Sequence, residues 1–477
     1  MDIWDKDPLN DFVKIFLVDL GASVEFPEKI NAFNIARDNE SNIILHVFSH
    51  ASDQPKRKDI PLGLVYNLDN SVELKGYIGS GELLGISGFS VNTAFSNNNS
   101  DTATESKYTI NQVNYSTTDL EIEYTVDQIA NLPDHYLWSS SITDKISGQH
   151  ERTFTGNSPI EITTSTPNIH NMSRTSARFE LGGHSVVIST MNSSNIPKSR
   201  NPGYIYYSGH PSKETREKIR ASLSLTFGLP LVYFGSSFYT QNGGVVGFEA
   251  VSPATVGGRA WRIISQPFAP ITVGMSNMLD SELLQKNASS FFENYDSMDL
   301  RGFLFRLWYA EVSPTHMKAA YYGAMIESIQ KREIEKLGSN ISNTIIAKSE
   351  YRKTIKILSK FLQKQNIPLL AKELLSHKIQ DGNKAPQRIL AERFYSTLGL
   401  CLGPVELTAW LRRNDAAHGN VDLPGSEIRN YRSNKILRVI LGRIILKLSG
   451  SSSNYIDYYT YNHPIRELSD AIPHDEV

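Results

Sequence analysis

In the run Trp410-Leu411-Arg412-Arg413-Asn414-Asp415-Ala416-Ala417-His418-Gly419, an arginine precedes a histidine with four residues between them. Those two side chains have a definite chemical use. Cleaving RNA by its own 2′-hydroxyl requires an acceptor for that proton, a donor for the departing 5′-oxygen and a fixed positive charge for the phosphorane. Histidine titrates near neutrality and arginine keeps its charge, so the pair covers these needs with no metal and no cofactor. Gly419 suits the left-handed position that closes a helix, which leaves His418 beside the last free carbonyls, where imidazolium is favoured. On a continuous helix, five residues turn through about 500°, so Arg413 and His418 would point about 140° apart. Either the helix ends between them, or a second copy across a two-fold axis completes the site. The ordinary alternative is a surface arginine followed by a capping histidine.

Spacing alone does not single this pair out, since about two chance matches are expected in a chain of this composition. The second match is Arg178 and His184. These flank Gly182-Gly183, whose adjacent glycines predict a two-residue hairpin turn, and would sit three rungs apart, too far to share one phosphate. A further cationic feature accompanies the first pair. Lys348, Arg352, Lys356, Lys360 and Lys364 recur every fourth residue opposite Tyr351, Ile355, Leu358 and Leu362, a stripe able to track a phosphate backbone. A solvated helix face is the commoner meaning of such a stripe.

The elements that would carry these residues change character along the chain. Through about residue 200 the period is two: in Leu120-Glu121-Ile122-Glu123-Tyr124-Thr125-Val126 every second residue is apolar, predicting a strand with one wet face. Ser96–Thr102 is polar and reads as a loop. Ser212, Glu214, Ile219, Leu223, Phe227 and Gly228 predict a capped helix over 211–228, after which strand-like runs resume. From about 296 the period becomes helical. Leu304, Leu307 and Trp308, then Met317, Ala320, Tyr321 and Ala324, predict a long helix kinked or split at Pro314, with further helices over 345–365, 367–378, 387–398, 405–417 and 430–448. The expected architecture is α+β and multidomain: a β-rich sandwich or barrel-like domain over 1–200, a mixed α/β continuation or subdomain over 201–295, an α-helical bundle over 296–450 and a loosely held tail over 451–477.

Composition narrows the function classes. A length of 477 residues exceeds one ordinary core, and 40% hydrophobic with 21% charged residues is globular usage. One cysteine, Cys401, excludes an internal disulfide framework and predicts a reducing, cytoplasmic setting. No run approaches the ~20 apolar residues of a membrane span, and the start is unlike a signal peptide. Net charge is −2, but residues 301–477 hold 26 Lys+Arg against 17 Asp+Glu, leaving 22 against 33 for residues 1–300. A basic C-terminal region raises the expectation of a polyanionic partner. Other motifs fail on context: Gly79–Gly85 misses the dinucleotide spacing, and His46 and His50 lie in an apparent strand, where they would stand about 13 Å apart.

Arg413–Gly419 resembles the R-[polar]-x3-H signature of HEPN domains, helical bundles many of which are metal-independent ribonucleases. Leu307-Trp308-Tyr309-Ala310, followed by Ala320-Tyr321-Tyr322-Gly323-Ala324-Met325-Ile326-Glu327-Ser328-Ile329, is similar to the first long helix of the ApeA-type branch. Those are bacterial anti-phage proteins with a large β-rich region before a C-terminal HEPN domain. The specific likeness covers residues 300–450; the first 295 match only in size and β character. It implies that Arg413 and His418 are catalytic, that Asn414 orients them and that Glu327 supports them from the first helix. Arg412 joins Lys348, Arg352, Lys356, Lys360 and Lys364 as candidate RNA-binding residues. The implied protein is a cytoplasmic endoribonuclease of abortive infection acting on RNA, with tRNA one candidate, as a homodimer through the bundle. It would leave 2′,3′-cyclic phosphate ends, with the β-rich region sensing a phage-derived trigger protein. Ala416 stands where one subgroup has a modifiable tyrosine, which disfavours that mode of silencing. Two other readings remain: a non-catalytic RNA-binding or dimerisation module whose β-rich region captures a phage protein or glycan, and a scaffold whose basic bundle binds its acidic half.

Overall fold

The computed structural model describes residues 9, 16–19, 27, 29–50, 73–77, 83–95, 103–116, 121–133, 137–154, 160–191, 201–257, 269–271, 273–275, 278–337, 341–417 and 425–474. The chain forms two compact units, Met1–Val312 and Ser313–Val477. The first is built on antiparallel strands: β1 (Phe16–Asp19), β2 (Ala32–Arg37), β3 (Ile43–His50), β4 (Glu73–Tyr77), β5 (Leu83–Phe95), β6 (Ala103–Ser116), β7 (Tyr124–Ile129), β8 (Ser140–Phe154), β9 (Ile160–Leu181), β10 (His184–Thr190), β11 (Gly203–Ser208), β12 (Tyr233–Tyr239) and β13 (Val245–Val251). They join in one sheet of order β1-β4-β5-β6-β13-β12-β7-β11-β10-β9-β8. β6 is long enough to hold β3 beside its first half and β13 beside its second, and β2 pairs with β3. Helices α1 (Lys213–Phe227), α2 (Pro253–Gly257), α3 (Ser281–Glu293) and α4 (Leu300–Val312) complete the unit, with the short pair β14 (Gly274–Met275) and β15 (Met278–Leu279).

Period-two burial produces its cores. Ile43, Leu45 and Val47 alternate inward from β3 onto Tyr108, Ile110 and Val113 of β6. A second core sets Phe179, Leu181, Val186, Ile188, Ile205 and Tyr207 of the sheet against Ile219, Leu223 and Phe227 of α1 and Leu284 and Ala288 of α3. The expected caps of α1 are present: Ser212 accepts from the Thr215 amide, and Gly228 closes the helix at φ 69°. The Gly182-Gly183 turn has φ values of 60° and 80°, and Arg178 and His184 pair with Val187 and Leu181, three rungs apart.

The second unit is helical: α5 (Thr315–Leu337), α6 (Lys348–Lys364), α7 (Leu369–Asp381), α8 (Gln387–Leu398), α9 (Pro404–Ala417) and α10 (Glu427–Ser449), followed by strands β16 (Asn454–Ile456) and β17 (Ile465–Glu467). α5, α9 and α10 pack on one another around Tyr322, Ile326, Trp410, Leu437, Ile440 and Ile444.

Of the two options for residues 201–295, the continuation agrees with the sheet rather than the separate subdomain, because β11, β12 and β13 lie within the same sheet as β7. Other expectations are corrected. The helical unit begins at Ser313 rather than near 296, since α4 packs on α1; Pro314, which cannot continue an α-helix hydrogen-bond ladder, marks the division. Residues 451–477 are no loose tail as far as 474: β16 pairs with β17, and Tyr455, Asp457, Leu468 and Ile472 are buried. β7 does not have one wet face, because Thr125 to Ile129 are all buried. Ser96–Thr102 and Gly79–Glu82 lie outside the described residues, and Leu83–Gly85 open β5.

Candidate functional site

Arg413 stands where α9 crosses α5. The crossing is close because Gly323 of α5 has no side chain: a Cβ there would lie 2.7 Å from Arg413 Cδ and 3.0 Å from its Cβ. Arg413 is only 5% exposed. Its guanidinium lies 3.6 Å from the centre of the Trp410 ring, one turn back on the same helix, and Nη1 donates to the Trp410 carbonyl at 2.7 Å. Nε donates to Glu327 Oε1 at 3.0 Å, and Nη2 donates to the same oxygen. Residues 86 apart in sequence thus form one ion pair.

The pair is lopsided. Arg413 is buried while the Glu327 side chain is 41% exposed, and both bonds end on Oε1. A guanidinium has five N–H donors, so one on each terminal nitrogen is left over after these contacts. Tyr395 of α8 is also buried; burial pushes its phenol well above the ordinary tyrosine value, against the pull of Arg413. Its hydroxyl and Trp410 Nε1 find no hydrogen-bond partner among the described residues. The arrangement offers a fixed positive charge shielded by a half-wet carboxylate. An anion reaching it would take over the role of Glu327 Oε1.

The other expected site residues fall out as follows. α9 continues through Ala417, so the chain is helical from Arg413 to the residue before the histidine. His418 itself lies outside the described residues, as does the side chain of Asn414. Arg412 is half-buried on α9. Lys348, Arg352, Lys356, Lys360 and Lys364 are all exposed on α6, and none forms an ion pair with a described residue. α6 packs on α7, so the stripe and the Arg413–Glu327 pair belong to different parts of the unit.

Sequence reasoning missed three features. Arg429, Arg432, Lys435 and Arg438 recur every third residue along α10, which packs on both α5 and α9; the spacing was there to be read. Arg443 of α10 and Glu406 of α9 form a fully buried pair, with Arg443 also donating to the carbonyls of Leu468 and Cys401 and lying over Tyr455. This pair ties the C-terminal strands to the bundle. Burial pushes the Glu406 carboxyl above its ordinary value, outweighing Arg443 and the amides of Gly403 and Ile472.

The third lies in the N-terminal unit. Asp127 of β7 is fully buried, accepting from Arg216 Nη1 (2.9 Å) and Ser236 Oγ (2.6 Å) on one oxygen and from Tyr207 (2.9 Å) and Arg220 on the other. Burial alone would raise this carboxyl, but Arg216 and Arg220, then Ser236 and Tyr207, hold it below the ordinary carboxylate value. Four donors saturate both oxygens, which makes Asp127 a clamp between the sheet and α1 rather than a proton acceptor.

Among the described residues, no cluster of three or more His, Cys, Asp or Glu side chains could hold a metal ion, and no helix is long and apolar enough to cross a membrane. His46 instead meets Glu105 at 2.7 Å. Compared with family models, curated proteins and solved structures, the chain finds no match.

Proposed function

We propose that the protein is an RNA-cleaving enzyme of HEPN type whose helical unit works without a metal, in bacterial anti-phage defence, under the control of the β-rich unit. Arg413 supplies the positive charge at the scissile phosphate, His418 moves the proton, and Glu327 holds Arg413 until RNA displaces it. One observation carries this reading: the fold joins Arg413 and Glu327, two residues that the motif resemblance puts in one site, although they are 86 apart in sequence. Arg429, Arg432, Lys435 and Arg438, which wind through half a turn around a helix packed against both partners, and the exposed α6 cations add positive charge to the helical unit, as an RNA backbone requires.

Purified full-length protein incubated with end-labelled RNA in excess chelator tests the proposal. Expected products carry a 2′,3′-cyclic phosphate and a 5′-hydroxyl, and His418→Ala abolishes them. Arg413→Lys keeps a charge in the buried slot while losing the forked geometry, and lowers cleavage at least about tenfold. Cleavage that survives both changes sinks the assignment. A second reading, an RNA-binding module without chemistry, draws on the burial of Arg413; it predicts tight, salt-sensitive RNA binding with no product in the same assay.

A further inference from the structure

The sheet of the N-terminal unit ends in an arm. β8 and β9 pair from Ser140↔Ser176 to Phe154↔Ile160, but β10 reaches β9 only as far as Ser176. Among the described residues, 142–154 and 160–173 therefore form a two-stranded ribbon, with β8 the last strand in the sheet order. A ribbon of two strands is marginal in water and needs further strands or a packed layer to hold it. The free edge of β8 is long and even. Its 15 residues span about 50 Å and include no proline. Where the register shifts, between Ser140 and Ile142 and between Ile146 and Gly148, the additional residue is in β9, so β8 runs without a bulge. β1, at the other end of the order, has only four residues.

Edges are commonly guarded by charge, and β8 carries Asp144, Lys145, Glu151 and Arg152. The order of those charges is informative. Read outward from Gly148, the strand runs Ser147, Ile146, Lys145, Asp144, Thr143, Ile142 in one direction and Gln149, His150, Glu151, Arg152, Thr153, Phe154 in the other. At equal distances from Gly148, Lys145 is matched by Glu151, Asp144 by Arg152, Thr143 by Thr153 and Ile142 by Phe154. A guard against pairing works with charges in any order, whereas these are ordered so that one self-pairing satisfies all four.

We propose that the β8 edge binds the β8 edge of a second copy, antiparallel about a two-fold axis at Gly148, so that two ribbons become four strands in the order β9-β8-β8-β9. The axis places every residue opposite the one equally far from Gly148 in the other copy. Asp144 then stands opposite Arg152 and Lys145 opposite Glu151, twice each. Unlike charges and paired threonines at directly opposed positions stabilise antiparallel strands. The backbone agrees with this register. Opposed residues are an even number apart in sequence, so both turn amide and carbonyl toward the free edge or both toward β9, and both lie on one face of the sheet. Neighbouring registers fail. Centring the pairing on Ser147 sets Arg152 against Ile142 and Lys145 against Gln149, and centring it on Gln149 sets Asp144 against Phe154 and Arg152 against Ile146. Because each charge finds its complement within the same strand, the partner that fits is the strand itself. The inference concerns the β-rich unit, does not rest on the ribonuclease reading and is separate from any joining through the helices.

Disulfide trapping of the full-length protein in a Cys401→Ser background tests it. Chains carrying Thr143→Cys and chains carrying Thr153→Cys, mixed and mildly oxidised, should cross-link to each other, because opposed Cα atoms in antiparallel strands lie about 4.5–5.5 Å apart, within disulfide reach. Neither chain should cross-link to itself at a comparable rate, since position 143 of one copy lies about 33 Å from position 143 of the other. Asp144→Arg in both chains sets like charges opposite each other twice and should slow trapping in the mixture at least about tenfold. Adding Arg152→Asp should restore it, a rescue that a merely structural role for Asp144 would not give. Lys145→Glu, rescued by Glu151→Lys, repeats the test should the first reversal not fold. The proposal is overturned by a mixture that does not cross-link, which is the result expected if a strand of another protein is the occupant. It is equally overturned by either chain trapping itself as fast as the mixture, or by failure of both charge swaps to restore what the single reversals remove.

Discussion

The Asp127 cluster and the Arg413–Glu327 pair both place arginine inside the protein, yet they are built to opposite ends. Asp127 is fully buried and takes four donors, two of them arginines, so no lone pair is left for anything else. Glu327 is 41% exposed, and only one of its oxygens meets Arg413. The Arg443–Glu406 pair falls between: both side chains are buried, but one arginine faces one carboxylate, and the Glu406 carboxyl is pushed up where Asp127 is held down. At Asp127 two arginines, with Ser236 and Tyr207, outweigh the loss of hydration, whereas at Glu406 one arginine and two amides do not, and Asp457 adds to the upward push. The saturated cluster is therefore structural, while the half-open pair can exchange partners.

Substitutions can break this contrast. The largest effect is expected from Asp127→Ala, which leaves two buried guanidiniums without their shared anion and should cost about 3–5 kcal/mol in urea unfolding of the N-terminal unit. Arg443→Ala strands Glu406 and should cost about the same in the helical unit, with protease sensitivity appearing in residues 451–474 as their tie to α10 is lost. Gly323→Ala pushes a methyl into Arg413 and should cost about 1–3 kcal/mol. Glu327→Gln should cost about 1 kcal/mol or less, because water reaches that carboxylate. If Glu327→Gln proves as costly as Asp127→Ala, the distinction between clamp and exchangeable pair fails.

pH sharpens the same comparison. The folded-state pKa of Asp127 lies below its unfolded value near ~3.9, so its contribution is full above about pH 5 and is lost as pH falls toward the folded value. Glu406 has the opposite sign: its folded-state pKa lies above the unfolded ~4.3, so the folded state binds the extra proton and stability through this group declines as pH rises through that window. In urea titrations between pH 3 and 7, Asp127→Asn should flatten the acid-side loss, and Glu406→Gln should steepen it. The smallest expected change is in RNA binding. Each of Lys356→Ala and Lys360→Ala should reduce the slope of log affinity against log salt by about 1 if α6 tracks the backbone.

Much of the framework was legible in the chain. Ser212 and Gly228 bracket α1, Gly182-Gly183 turns β9 into β10, and the helices from α6 to α10 lie close to their expected ranges, because caps, turn glycines and apolar periods act over a few residues. The candidate site was legible in part: Arg413 and Glu327 were singled out from a motif, and their contact required a crossing that Gly323 permits. β7 misled the alternation reading because a central strand is covered on both faces, so Asp127 points inward where period two put it in water.

The sequence by itself determined the local elements, the sign of charge in each part of the chain and the residue types available for chemistry, since all of these depend on neighbours within a turn or a strand. Only the tertiary structure decided which charges are buried, which carboxylate each arginine meets, that residues 451–474 are held by Arg443, and that α6 and α7 leave large apolar side chains in solvent. The charge contacts among them depend on groups 25 to 109 residues apart arriving in one place. A charge's energy is set by what replaces its water there, and spacing along the chain carries no record of that.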